Sequence, residues 1–337
     1  MRTKNLIIGL LCLVVLVVVF SMTTKSQKPG EQPKFEIIKV GTGATPKWSP
    51  DGTKLAFVYM MKLCVANVDG KGEVDTVAYL PKNAQGYDWL DSNEFVIWEK
   101  QIWRETGKVE GHLLGIKKVD MNGQVSLIRE DPHPPGERIS FYISPPFTLE
   151  DGTVGYYEVY EGAKGEETKA FRVIKEGKGK PDSWKKKMRA VTVPYGWGKI
   201  WVESLDETIK KEVSKGPATW LFPELSPAGN KIITLNHRAE MIIMDLQGNI
   251  LANLGMGGCE GWSPDSKRIV FCIQKESEFD IIASELYIVN VDGTGKTQIT
   301  DTPDEIETGP VWSPDGTKIA CGSHSSAGIF VIKLENI

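Results

Sequence analysis

Short apolar runs, each introduced by a small polar turn, recur along this chain in one phrase. The copies are Trp48-Ser-Pro-Asp-Gly-Thr-Lys-Leu-Ala-Phe57, Leu225-Ser-Pro-Ala-Gly-Asn-Lys-Ile-Ile-Thr234, Trp262-Ser-Pro-Asp-Ser-Lys-Arg-Ile-Val-Phe271 and Trp312-Ser-Pro-Asp-Gly-Thr-Lys-Ile-Ala-Cys321. Pro presets φ for a turn and Asp-Gly tolerates positive φ, so the phrase predicts strand, tight turn, strand. Weaker copies lie between them. Ile143-Ser-Pro145 leads through Asp151-Gly-Thr153 into Val154–Val159, Trp89 leads into Glu94–Trp98, and Trp184 precedes Met188–Val193 without a Ser-Pro. The anchors at 48, 89, 143, 184, 225, 262 and 312 recur at a mean interval of about 44 residues, the length of one four-stranded propeller blade.

A second mark keeps a fixed place in the repeat. Asn67-Val-Asp-Gly70, Val119-Asp-Met-Asn-Gly123, Met244-Asp-Leu-Gln-Gly248 and Asn290-Val-Asp-Gly293 each separate two β-rich runs, 20 to 30 residues after an anchor. Asp and Gly in this setting signal a hairpin, here between the third and fourth strands of a blade.

These residues resemble the TolB-type propeller repeat, a relative of the WD-repeat propellers. The likeness covers about Phe35 to the C-terminus and is tightest at Trp48, Trp262 and Trp312. It implies an all-β fold: one propeller of four-stranded blades, seven or six in number, since the copies at 89, 143 and 184 have drifted. It also implies a binding role outside the cytoplasm. The repeat anchors Trp48, Trp89, Trp184, Trp262 and Trp312 are expected to pack between blades and not to stack on ligands. Ile329–Leu334 is the last strand after Trp312, while Phe35–Val40 precedes the first anchor. The N-terminal strand is therefore expected to complete the last blade and close the ring, removing an open sheet edge.

The chain divides into residues 1–24, 25–34 and 35–337. Arg2 and Lys4 precede Leu6–Phe20, which carries no charge, and this reads as a signal peptide or a signal anchor. Fifteen helical residues reach about 22 Å, short of a hydrocarbon core of about 30 Å; Asn5–Thr24 would just span. Either way the propeller is expected in an extracytoplasmic place, periplasmic or at the cell surface, touching the membrane only through this segment. Residues 25–34 form a polar linker.

Charge narrows the partners. The formal net charge is −4 and becomes more negative without Arg2 and Lys4, which argues against a nucleic-acid backbone. Lys185–Lys187 reads as a solvated strand end. Cys64, Cys259, Cys272 and Cys321 read as buried thiols, and four cysteines outside the leader leave three disulfide pairings open. No Cys-x-x-Cys, Gly-x-Ser-x-Gly, His-Glu-x-x-His or phosphate-binding glycine loop occurs. Some prolyl peptidases carry a similar propeller followed by a hydrolase domain, and no such domain is expected here. Neither catalytic residues nor a cofactor are expected.

Loop length points to one face. The Ser-Pro-Asp-Gly and Val-Asp-Gly turns are terse. The longer segments are Glu99–Gly111, Asp131–Arg138, Tyr160–Thr168, Gln274–Ser284 and Asp301–Gly309, on the opposite face. Long loops on a rigid scaffold concentrate binding residues, which makes Trp103, Arg104, His133, Trp197, His237, Arg238 and His324 the candidate contacts. His133 is expected in a blade-to-blade loop near the central channel. Asp301–Glu307 is acidic but lacks a calcium-loop pattern and reads as a solvated loop. The histidines also bear a resemblance to oligogalacturonate lyases, propellers with a metal held by histidines. The function expected first is a non-catalytic module that binds a protein partner in the cell envelope. A metal-dependent polysaccharide lyase, or a carbohydrate-binding propeller with a glycan ligand, is the alternative.

Overall fold

The computed structural model describes residues 35–105, 108–133, 140–143, 147–148, 153–161, 167–175, 185, 187–193, 197–206, 208–215, 219–277 and 280–334. The N-terminal segment, the linker and Trp184 lie outside the described residues. The described elements are β-strands joined in antiparallel ladders.

Three four-stranded, hairpin-linked groups carry copies of the repeat or its second mark. They are β2 (Ala44–Trp48), β3 (Lys54–Tyr59), β4 (Lys62–Asn67) and β5 (Asp75–Tyr79); then β6 (Ala84–Asp91), β7 (Glu94–Glu105), β8 (Lys108–Asp120) and β9 (Val125–His133); and, later in the chain, β21 (Gly258–Trp262), β22 (Arg268–Glu276), β23 (Ile281–Asn290) and β24 (Thr297–Gln298). Between them, β10 (Ser140–Ile143) and β11 (Phe147–Thr148) both pair with β12 (Val154–Glu161), which pairs with β13 (Glu167–Lys175). A seven-stranded sheet follows. It contains β14 (Met188–Val193), β15 (Trp197–Ser204) and β16 (Lys210–Glu212), then β17 (Trp220–Leu225), β18 (Lys231–Asn236), β19 (Glu240–Asp245) and β20 (Ile250–Met256). Its two parts are hydrogen-bonded where Trp197 and Gly198 pair with Leu221 and Trp220.

The last group closes the molecule as its sequence predicts. The strands β25 (Glu307–Trp312), β26 (Lys318–Ser323) and β27 (Gly328–Lys333) take β1 (Glu36–Thr42) as their fourth strand, with Glu36 opposite Lys333 and Thr42 opposite Gly328. Lys333 Nζ also meets Glu36 at 2.9 Å.

The core is a series of seams between successive groups. Ala56, Leu63 and Val65 pack on Tyr87, Trp89 and Phe95. Val270, Leu286 and Ile288 pack on Trp312, Ile319 and Ile332. Comparable clusters join β17–β20 to β21–β24, the closing group to β2–β5, β14–β16 to β17–β20, and β6–β9 to β12. A middle strand faces a seam on both sides, which is why Leu55–Phe57, Ile232–Leu235 and Ile269–Cys272 are buried without alternation.

The repeated polar residues build these strands. Ser49 Oγ bonds Asp51 Oδ1 at 2.6 Å and receives the Lys54 amide at 3.0 Å. The same pattern recurs at Ser263–Asp265–Arg268 and Ser313–Asp315–Lys318. It appears once more where the phrase is hard to see. Ser204 bonds Asp206 and receives the Ile209 amide at 3.0 Å, in the turn from β15 to β16. At the turns between third and fourth strands the glycines are forced. A Cβ on Gly123 would lie 2.3 Å from the Val77 carbonyl oxygen, and one on Gly248 would lie 2.0 Å from that of Val213. Both also have positive φ, so the turn can touch the neighbouring outer strand only as glycine.

Candidate functional site

The anchor tryptophans fix which strands are innermost. Trp48 Nε1 donates to the Val311 carbonyl at 3.0 Å, Trp89 to Lys47 at 3.0 Å, Trp262 to Glu224 at 3.4 Å and Trp312 to Gly261 at 3.2 Å. In each case the acceptor is the residue just before the anchor of the neighbouring group. First strands therefore stand side by side around the axis, joined by indole N–H groups. Trp89, Trp262 and Trp312 are buried and Trp48 is half-buried.

This arrangement gives the molecule two distinct ends. The turn end carries the Ser-x-Asp turns and the Asp-Gly hairpins. The hairpin end carries the connections from second to third strand and from group to group. At the turn end, left-handed positions are filled by Gly52, Gly70, Gly123, Gly229, Gly248, Gly293 and Gly316, with Ser266 the non-glycine. At the hairpin end they are filled by Gly255 and Gly309 but also by Thr45, Met60, Met61, Phe222, Ala239 and Ala327. A bulky side chain in this conformation is a backbone outlier, and such outliers gather where strain is kept for function.

Three of these positions reveal a mark the sequence reading missed. Thr45-Pro46, Phe222-Pro223 and Gly309-Pro310 each stand three residues before an anchor, and the first residue of each has positive φ. Each sits at a register shift in its innermost strand, between Ala44 and Lys47, Leu221 and Glu224, and Thr308 and Val311. The buried Tyr87 hydroxyl donates to the Thr45 carbonyl at 2.6 Å and holds one such bulge in place. The repeated x-Pro dipeptide was the available signal. All three residues are exposed, and Phe222 presents an aromatic ring with half its surface open.

The same end exposes other apolar side chains. Met60 is 76% and Tyr79 is 73% exposed, with Tyr59 and Met61 beside them on the β3–β4 turn. Lys62 Nζ stands 5.5 Å from the centre of the Tyr79 ring. Met256 and Ile282 are exposed at the same end of β20 and β23.

The seven candidate contacts fall into three groups instead of one site. Trp103 and Arg104 lie in β7, opposite Gly111 and Val109. The predicted long loop Glu99–Gly111 is therefore a correction: β7 runs on to Glu105 and β8 begins at Lys108, giving a projecting hairpin. In Gln274–Ser284, β22 runs on to Glu276 and β23 begins at Ile281, and β12 and β13 enter Tyr160–Thr168 as far as Glu161 and from Glu167. His133 is also corrected. It ends the outer strand β9, paired with His112 of β8, and not a loop at the channel. Backbone pairing outlasts the apolar pattern here, since a projecting hairpin needs no buried face to keep its ladder.

The second group lies at the hairpin end of β14–β20. Trp197 pairs with Leu221, next to Phe222. His237 and Arg238 are exposed on the β18–β19 turn, which Asn236 builds by receiving the Arg238 amide at 2.9 Å and the Glu240 amide at 3.0 Å. His324 stands apart on the β26–β27 turn, its amide bonded to the Ile306 carbonyl at 2.9 Å. The side chains of Trp103, Arg104, His133 and Trp197 lie outside the described residues. Among the described residues, no three His, Cys, Asp or Glu side chains group so as to hold a metal ion. Cys64, Cys272 and Cys321 are buried thiols.

No family model matches the chain. Over 68 residues it is 37% identical to dipeptidyl-peptidase 5 of Porphyromonas gingivalis, a match spanning 20% of this chain and 10% of that protein. Among solved structures, an oligogalacturonate lyase from Vibrio parahaemolyticus aligns with TM-score 0.41 at 12% identity, covering 86% of this chain and 77% of that one. An oligogalacturonate lyase in complex with manganese aligns with TM-score 0.39 at 15% identity, covering 86% and 76%. A chain of the mitotic checkpoint complex aligns with TM-score 0.53 at 13% identity, covering 95% of this chain and 99% of that one. At 13% identity the likeness to the mitotic checkpoint complex chain is one of fold, and the array of antiparallel blades agrees with it: the chain is an all-β propeller.

Proposed function

We propose that this propeller is a non-catalytic, exported interaction module that meets a protein partner in the cell envelope with its hairpin end. The observation that carries this is the asymmetry between the ends. At the turn end every left-handed position but Ser266 is a glycine, whereas at the other Met60, Met61 and Phe222 join Gly255 and Gly309 in such conformations while exposing apolar surface. Aromatic and methionine side chains of this kind suit a protein surface. Export rests on Arg2, Lys4 and the apolar Leu6–Phe20. Glu36, where β1 begins, lies at the turn end, so a tether through the linker would leave the hairpin end facing away from the membrane.

Photo-crosslinkers placed at Met60, Phe222 and His237 should trap one and the same protein, while those at Lys71 and Asp292 should trap none. Phe222→Gly should weaken that capture and leave stability unchanged or raised, since it relieves a left-handed strain of roughly 1–2 kcal/mol. Capture from the turn end alone would overturn the assignment. The lyase reading takes its place if the purified protein holds stoichiometric metal and cleaves an acidic oligosaccharide in a way that His133→Ala or His237→Ala abolishes.

A further inference from the structure

The segment from Ile299 to Glu307 crosses the seam between β21–β24 and the closing group; Asp301, Pro303 and Asp304 are exposed, as the acidic loop predicts, but Glu307 is buried. Ile306 forms a parallel bridge with Ser284 and its amide meets Ser325 Oγ at 3.0 Å. Ser325 Oγ also donates to the Asp304 carbonyl at 3.0 Å. Glu305 accepts hydrogen bonds from Ser323 and from Ser326, the latter at 2.6 Å. The Thr302 amide donates to Glu285 at 3.1 Å.

Glu307 ends this segment with only 2% of its surface exposed. One carboxyl oxygen accepts a hydrogen bond from the Thr302 hydroxyl. The other, Oε2, is buried and has no partner. The carboxyl lines a small, partly open pocket of about 10 Å³ with Thr300, Thr302 and Glu305 and with Ile37 of β1, Cys321 of β26, and Phe330 and Ile332 of β27. That is room for one water molecule. A buried carboxylate lacking a partner is costly as an ion and much less so as a neutral acid.

We propose that Glu307 is a proton-operated latch on the ring closure. With its proton it keeps the 299–307 segment and β1 seated on the seam; without it, water enters the cavity and the serine-pinned loop beside His324 loosens.

The groups facing it agree. Burial pushes the Glu307 carboxyl up to about 7; the Thr302 hydroxyl, the residue's own backbone amide and, least, the Thr300 hydroxyl oppose the rise, and the Glu285 carboxylate on β23 adds to it. Cys321, on β26, has its thiol pushed up by burial and then by Glu307 and Glu305. Glu305 is exposed to burial in the raising direction but is held low by its serine bonds and by Lys39 on β1. The folded pKa of Glu307 is thus above the unfolded value. The folded state keeps a proton the unfolded chain has lost, and stability falls as pH rises from the ordinary glutamate range to about 7.

The test compares the intact protein with Glu307→Gln, which keeps shape and removes the charge. The wild-type urea midpoint should fall between pH 5 and pH 8 while the Gln variant stays level and is the more stable above pH 8. The Glu307 carboxyl carbon resonance should titrate near neutrality, and amide protection at Thr302 and Ile306 should drop across the same interval in the wild type alone. Equal pH slopes for the two proteins, or a resonance titrating in the ordinary glutamate range, would overturn the latch. If the Gln variant does not fold, Thr302→Val removes the opposing hydroxyl and should move the carboxyl titration upward; an unmoved titration overturns the proposal equally.

Discussion

An anchor tryptophan contributes twice, through its buried ring and through one N–H aimed at the next strand. Trp312→Phe keeps most of the apolar area but leaves the Gly261 carbonyl without its donor, a loss of about 1–3 kcal/mol. Trp312→Ala should cost about 3–5 kcal/mol, the range for emptying a large aromatic site. Urea unfolding separates the two, and a Phe variant as stable as wild type would mean the N–H bond adds nothing net. The turn aspartates make a second prediction. The Ser49 hydroxyl, followed by Thr53, holds the Asp51 carboxyl well below its usual range. Burial opposes the same effect at Asp315, yet its bonds from Ser313 and Thr317 hold it at about 2. Depressed carboxyls stabilise the fold above their unfolded pKa, and that contribution is lost as pH falls from about 4 toward 2. Melting temperatures of wild type and Asp315→Asn should converge over that interval and differ above it. At this scale the anchors and turn residues were legible, because turn chemistry is local. Glu307 was not: nothing near it in sequence announces that Phe330 and Ile332, from the far side of the blade, will bury it.

Among the elements, β1 was the most legible and is the most exposed to test. It was found by counting strands, since the last blade lacked an outer strand and the first had one to spare. Removing residues 35–40 should uncover β27, lower the unfolding midpoint of the whole domain and promote association through the bare edge. Scattering and denaturant unfolding would show it, and a truncated protein as monomeric and stable as the intact one would contradict the pairing. The β15–β16 turn was hidden because Ser204-Leu-Asp206 lacks the Pro and the Gly, although the hydroxyl–carboxylate bond survives without them. The β7–β8 hairpin was hidden for the opposite reason: its ladder continues through Lys100–Glu105, where the sequence shows no strict alternation of polar and apolar residues.

For the whole molecule, the sequence carried the architecture because every blade repeats the same local instructions, whereas the difference between the two ends depends on residues that break the repeat. Phe222 stands where the copies before Trp48 and Trp312 carry Thr45 and Gly309, and no periodic reading can give weight to such an exception. The closure has a further consequence, in time. Glu36 and Lys333 are 297 residues apart in sequence. At a synthesis rate of about 5–20 residues per second, β1 emerges roughly 15–60 s before its partner exists. During that interval it is an orphan strand on a growing chain, and the blade it belongs to is the last that can form. An intact chain diluted from denaturant meets no such delay. Refolding in the test tube and folding during synthesis should therefore complete this ring in different orders, with β1 waiting only in the second.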